Sequence, residues 1–179
     1  MPRSPQGKQR GGAVRIETER LIVRGFVPED VYDLHEILGD TETMRFSEPP
    51  YDLPKTECFL RDFCIQRNGA IAACLRDSGK VIGYILFNRL DDGEYEVGWF
   101  FNRAYWHKGY AFEAVSAVIE HAFSEIGARR VFAETIDLKK SVPLMKKLGM
   151  KFESVEKGEA VGPDGKIADM QVYAIERDN

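Results

Sequence analysis

The residues best suited to chemistry in this 179-residue chain form the run Phe-Phe-Asn-Arg-Ala-Tyr-Trp-His-Lys-Gly-Tyr-Ala-Phe-Glu-Ala at positions 100–114. An aromatic, extended segment (residues 94–101) enters the run and an amphipathic helix leaves it. Ala111, Val115, Val118, Ile119, Ala122 and Ile126 recur at helical spacing, with Glu113, Ser116, Glu120 and Ser124 between them. A strand that turns through a glycine-bearing loop into a helix leaves the first-turn amides without partners, at the positive end of the macrodipole. Such an end suits an anion, a phosphate or pyrophosphate. The same join also serves as a plain connector, and a single glycine is a short motif. Neither G-x-x-x-x-G-K-[ST] nor G-x-G-x-x-G occurs.

Other elements must hold this loop in place. Residues 1–13 are Gly, Pro, Arg, Lys and Gln with little that is apolar, which reads as a flexible tail or a cloning remnant outside the fold. A single domain is expected over 14–179. Residues 18–24 read as a first strand, and Pro28-Glu29-Asp30 opens a helix that Gly39 ends, with Asp30 or a neighbour as cap. Residues 43–51 form an irregular loop. A second helix is expected over about 55–67, closed by Gly69. Strands at 70–76 and 81–88 flank the turn Asp77-Ser78-Gly79-Lys80, and a turn at 90–93 leads into 94–101. After the long helix, Gly127 is a C-cap and 129–136 is a strand, which a right-handed crossover makes parallel to 94–101. Ser141 is expected to cap a short helix that ends before Gly149, with Pro143 in its first turn. Strands at 152–157 and 168–176, joined by Gly162-Pro163-Asp164-Gly165, complete the pattern.

Composition narrows the functional classes. A hydrophobic content of 44% with 30% charged residues suits a globular protein. No apolar run approaches the ~20 residues of a membrane span, and no secretory leader is visible, which points to the cytoplasm. The net charge of −4 argues against broad nucleic-acid or membrane binding and is compatible with a cationic amine substrate. Cys58, Cys64 and Cys74 lack metal-ligand spacing and read as free thiols, so no metal site is expected.

The stretch Tyr-Trp-His-Lys-Gly-Tyr-Ala-Phe-Glu-Ala at 105–114 resembles the acyl-CoA pyrophosphate loop of the GNAT superfamily of N-acetyltransferases. It is closest to the ribosomal-protein N-terminal acetyltransferase (RimJ/RimL-like) branch, whose loop commonly reads Y-W-G-K-G-Y-A-T-E-A. Further pieces fall in the same order: T-x-R-L-x-x-R from Thr18, the strand Val81 to Phe87, Lys-Lys-Leu-Gly-Met-Lys-Phe at 146–152, and Asp169 with Tyr173. The resemblance spans about residues 16–177. It implies an α/β (α+β) GNAT fold: a mixed, mostly antiparallel twisted sheet of about seven strands with a splayed parallel pair, flanked by about four helices.

It also implies acetyl transfer from acetyl-CoA to an amine. The segment from Trp106 to Ala111 would then hold the pyrophosphate, through the amides of His107, Lys108, Gly109, Tyr110 and Ala111. Backbone groups of Gly98, Trp99, Phe100 and Phe101 would pair with the pantetheine arm and polarise the thioester. Glu96, on the strand face of Glu94, Gly98 and Phe100 and flanked by Tyr95 and Trp99, is the candidate general base; otherwise it orients a cationic acceptor. Ser141, with Tyr173 as alternative, is the candidate proton donor to the thiolate, and Ser141 would also contact the cofactor. Loop 43–51 is a candidate acceptor-pocket wall.

Two positions depart from the branch. His107 stands where it has glycine, and Leu138 where it often has the Asn of N-x-x-S. The resulting expectation is an acetyl-CoA-dependent N-acetyltransferase working through a ternary complex, as a monomer or homodimer. The acceptor would be a protein N-terminal α-amine or a small polyamine or aminoglycoside-type amine. The rival from another class is a member that binds acyl-CoA without turnover.

Overall fold

A computed structural model describes residues 14–91 and 93–177. The tail expected over 1–13 lies outside the described residues, as does Asp92 of the expected 90–93 turn. The elements are β1 (Arg15–Glu17), β2 (Leu21–Gly25), α1 (Val31–Leu38), α2 (Leu53–Phe59), β3 (Ala70–Leu75), β4 (Val81–Asp91), β5 (Glu94–Phe101), α3 (Tyr110–His121), β6 (Arg130–Thr135), α4 (Ser141–Lys147), β7 (Lys151–Val161) and β8 (Ile167–Glu176). Helices α2 and α3 each run on into a wider π-type turn, Leu60–Gln66 and Ala122–Ile126. No helix among the described residues is long and apolar enough to cross a membrane.

The sheet has eight strands in the order β1-β2-β3-β4-β5-β6-β8-β7. All neighbours are antiparallel except β5 and β6. The strand beyond the expected seven comes from the N-terminus. Residues 15–25 are a hairpin, not one strand, because the chain reverses at Thr18, whose amide donates to the Leu21 carbonyl at 2.9 Å.

Period-two alternation divides the core into two clusters, one on each face of the sheet. One face carries Ile82, Ile85, Val97, Phe101 and Tyr173 under α3 and α4, through Val115, Val118 and Met145. The other carries Ala72, Cys74 and Tyr84 under α1 and α2, through Leu34, Ile37 and Leu60. On α3, Ala114 is fully buried whereas Ile126, expected on the apolar face, is 38% exposed. The π-type turn widens the helical period there and carries Ile126 outward.

Local chemistry explains the ends of these elements. Asp52 caps α2 by accepting from the Lys55 amide at 2.8 Å, so the helix starts two residues before the expected 55. Gly127 sits at φ 76° and closes the extension of α3. Asp30 does not cap α1 directly. It is buried, accepts from the Val27 amide at 2.9 Å, and pairs with both terminal nitrogens of Arg24 at 2.8 and 2.9 Å. Ser141 is not a cap either, for it is the first residue of α4, and Asp137 Oδ1 accepts from the Lys139 and Lys140 amides ahead of it.

Candidate functional site

The parallel pair is short. Strands β5 and β6 meet at Glu94–Arg130, Tyr95–Val131 and Glu96–Phe132 and then separate. Beyond that point β5 stays paired with β4, and β6 with β8. The separation opens a gap between the two sheet faces beside residues 97–101.

Which backbone groups line the gap follows from the β4–β5 ladder. The Asn102 amide donates to the Ile82 carbonyl at 2.8 Å, and antiparallel pairs alternate between bonded and non-bonded. Phe100–Tyr84 and Gly98–Leu86 are therefore bonded pairs, and their N–H and C=O groups belong to β4. Trp99 and Phe101 turn theirs toward the gap, whereas the Val97 N–H belongs to the parallel Glu96–Phe132 pair. Of the four residues expected to pair with a pantetheine arm, Trp99 and Phe101 turn backbone groups toward the gap, and Gly98 and Phe100 turn theirs toward β4. Phe101 keeps only its N–H free for this, because its carbonyl accepts the Trp106 indole N–H at 2.7 Å.

Between β5 and α3 the chain makes a tight 3-10 turn at Arg103–Tyr105, capped by the Asn102 side chain on the Ala104 amide at 3.0 Å. His107 follows at φ 60° and Gly109 at φ 79°. Both lie in the left-handed region that glycine enters freely and histidine at a cost. Trp106 braces the loop through Phe101, and Tyr105 and Tyr110 meet edge to face at 6.1 Å. Lys108 Nζ donates to the Ala104 carbonyl at 3.2 Å, and Ala111 sits in the first turn of α3.

A second tether comes from the first hairpin. Arg20 Nη1 donates to the Lys108 carbonyl at 2.9 Å, Arg20 Nε donates to Glu113 Oε2 at 2.7 Å, and the guanidinium lies 4.2 Å above the Tyr110 ring. Glu113 Oε1 also accepts from the Arg20 amide at 2.8 Å and the Thr18 hydroxyl at 2.6 Å. Burial pushes the Glu113 carboxyl up, but these hydrogen bonds outweigh it and hold the group below the usual carboxylate range. Sequence reading placed Glu113 among the polar residues between apolar ones; nothing in a helix period signals a partner 93 residues away.

Glu96 is half-buried on the α1/α2 face of the sheet. Its cross-strand neighbours are Asn88 on β4 and Phe132 on β6. Tyr95 and Trp99, expected to flank it, pack in the opposite cluster with α3, since odd positions of β5 face the other way. The Tyr84 hydroxyl on Glu96's side is raised well above the phenol value, first by burial and further by neighbouring groups that include the Glu96 and Glu48 carboxylates. Asn88 is 2% exposed, and its Nδ2 is enclosed without a hydrogen-bond partner. No sequence signal singled it out.

On the same face a cavity of about 330 Å³ is floored by Phe132 and Val172 and walled by Glu94, Glu134, Glu153 and Glu156, with Arg130 among them. Arg130 pairs with Glu94 at 3.5 Å and with Glu153. Four carboxylates around one guanidinium leave this cleft negative.

Ser141 is half-buried at the start of α4. Its neighbour Lys140 lies 4.4 Å over the Trp106 ring, which brings this end of α4 to the loop. Tyr173 is buried in the α3/α4 cluster, with its hydroxyl 3.3 Å from Gln171 Oε1. The residues expected to act together thus divide, with Glu96 on one face of the gap and Tyr173 on the other. The α1–α2 connector is tied in by Asp40–Arg103 at 3.0 Å and Glu42–Lys140 at 3.5 Å. Leu138 is 53% exposed. Cys58 is exposed, while Cys64 and Cys74 are buried, and burial pushes the Cys74 thiol up to about 11.

Residues 20–151 match the model of the acetyltransferase (GNAT) domain family. The chain is 31% identical over 168 residues to YnaD, an uncharacterized N-acetyltransferase of Bacillus subtilis (strain 168), covering 90% of this chain and 96% of that one. Among solved structures, a GNAT-family acetyltransferase from Bacillus anthracis superposes with a TM-score of 0.82 at 27% identity, over 91% of this chain and 98% of that one. The ribosomal-protein-S5-alanine acetyltransferase of Vibrio fischeri shares the fold at a TM-score of 0.78 and 20% identity, covering 93% and 98%.

Proposed function

The chain belongs to the GNAT acetyltransferase family, whose members are acyl-transferring enzymes that use acetyl-CoA, and from that premise we propose that it acetylates a primary amine by direct transfer in a ternary complex. A protein N-terminal α-amine, as in the RimJ/RimL-like branch, is the favoured acceptor. We place the whole activity in one cytoplasmic domain over 14–179, working as a monomer or homodimer.

The observation that carries this reading is the gap between β5 and β6, next to the loop at 106–111. Trp99 and the Phe101 N–H turn strand-pairing groups toward it. A cofactor with an extended amide-bearing arm and a pyrophosphate suits both features, the arm as an added strand and the phosphates at the amides of His107 to Ala111. When bound, acetyl-CoA supplies the acetyl group as an activated thioester.

The chain's own groups divide the remaining work. The Trp99 N–H is available to polarise a carbonyl in the gap. Glu96 accepts the proton of the acceptor ammonium on the α1/α2 face, and the negative cleft beside it favours a cation there. Ser141 supplies the proton to the departing thiolate from the α4 side. Tyr173 is the weaker candidate for that step, as its hydroxyl is buried and engaged with Gln171. Proximity and fixed dipoles supply most of the rate. The cleft's four carboxylates favour a second reading of the acceptor, a small polycationic amine of polyamine or aminoglycoside type.

Free-thiol release from acetyl-CoA, measured across N-terminal peptides and polyamines, tests the activity and separates the two acceptors. Glu96→Gln is expected to lower the rate by about 10²- to 10⁴-fold at neutral pH with CoA affinity nearly intact. A variant whose pH-rate profile matches the parent removes Glu96 from the base role.

A further inference from the structure

Arg20 has no place in the chemistry above, yet it bonds the Lys108 carbonyl and Glu113 and lies over Tyr110. We propose that Arg20 is a positioning residue for the cofactor's phosphates: it aims the loop amides and cancels the Glu113 carboxylate in the first turn of α3. This rests on reading 106–111 as the pyrophosphate site.

The first part of the argument is peptide geometry. In a planar trans peptide the C=O and the following N–H point in opposite directions. Arg20 Nη1 holds the Lys108 carbonyl toward the β1–β2 turn at 2.9 Å. The Gly109 N–H is thereby turned away from that turn and kept from swinging toward it. This peptide unit ends on Gly109, at φ 79°, and glycine takes φ of either sign, so a tether on its oxygen has an orientation to hold.

The second part is charge. Glu113 lies in the first turn of α3, where an uncompensated carboxylate repels a phosphate bound at the same helix end. Arg20 Nε, the Arg20 amide and the Thr18 hydroxyl take up both of its oxygens. The guanidinium neutralises it and lies over Tyr110, the residue that starts the helix.

The third part is rigidity of the base from which Arg20 works. The Arg20 carbonyl accepts from the Arg76 amide at 3.0 Å, and the Thr18 carbonyl accepts from Arg76 Nη1 at 2.7 Å. The turn is thus fixed to the end of β3. A loop with two left-handed residues is held by a braced hairpin.

Calorimetric titration of the intact protein with CoA tests this, on the parent, Arg20→Gln, Arg20→Lys and the double variant Arg20→Gln/Glu113→Gln. Arg20→Gln is expected to bind CoA about tenfold more weakly or worse. The kinetic loss falls on KM for acetyl-CoA, with KM for the amine unchanged. The double variant recovers part of the affinity, since it also removes the carboxylate, and Arg20→Lys falls between parent and Arg20→Gln. A Gly109 amide resonance that shifts on CoA addition in the parent loses that shift in Arg20→Gln. If the parent binds CoA and the Arg20 variants bind it within about twofold, the proposal is overturned. If the parent itself does not bind CoA, the pyrophosphate reading falls first. Should Arg20→Gln fail to fold, Arg20→Lys carries the test, and parental affinity in it overturns the proposal.

Discussion

Glu96 of β5 and Asn88 of β4 are directly opposed across an antiparallel ladder, and the Asn88 Nδ2 is enclosed there without a partner. An unsatisfied buried amide is costly, while replacing it by an apolar group of similar shape can be neutral or stabilising. We predict that Asn88→Leu keeps or raises stability, by up to about 1 kcal/mol, which scanning calorimetry checks. Hydrocarbon beside Glu96 disfavours its ionised form. The acid limb of the pH-rate profile therefore moves to higher pH in this variant. Lower stability with an unmoved limb contradicts both statements.

The Glu113 cluster makes stability depend on pH. Its carboxyl is held below the ordinary value in the folded chain, so the contribution is present above the unfolded pKa of about 4.3 and is lost as pH falls through the folded value. Glu113→Gln is therefore expected to melt below the parent at pH 7. The gap between the two melting temperatures should close as the pH is lowered beneath about 4. A gap that stays constant from pH 7 to pH 3 refutes the assignment.

The loop's two left-handed residues respond in opposite directions. His107→Gly relieves a conformation that costs a non-glycine residue about 1 kcal/mol, and is expected to raise stability with CoA binding retained. Gly109→Ala imposes that cost instead, about 1–2 kcal/mol. A methyl group there meets Arg20 Nη2 at an ordinary 3.5 Å, so the penalty is conformational and not a clash. Chemical denaturation of the two variants gives both signs at once.

Arg24→Ala leaves the Asp30 carboxylate buried beside Val27 without its guanidinium. Breaking a buried pair on one side costs about 3–5 kcal/mol, so this is expected to be the most destabilising of these substitutions. A urea midpoint close to the parent's disproves that ranking.

Much of the fold was legible because it depends on local signals. The hydrophobic period of α3, the glycines at 127 and 149, the turn at 77–80 and the bounds of β5 follow from side chains acting within a few residues of themselves. So did the crossover that makes β5 and β6 parallel. The first hairpin was not legible, because residues 18–24 read as one strand and neither glycine nor proline marks the reversal between β1 and β2.

The sequence by itself determined the loop at 105–114, the strand that leads into it and the helix that leaves it, since spacing and residue type carry those features along the chain, and its resemblance to the GNAT superfamily supplied the fold. The tertiary structure alone decided which face each side chain serves and who meets whom across the sheet. It sent Tyr95 and Trp99 away from Glu96, turned Trp99 rather than Gly98 toward the gap, put Ser141 inside α4 rather than at its cap, and brought Arg20 to Glu113. Each of these is a pairing between segments distant in sequence. No local propensity encodes such a pairing, because it is set only when the ladder registers and packed faces close together.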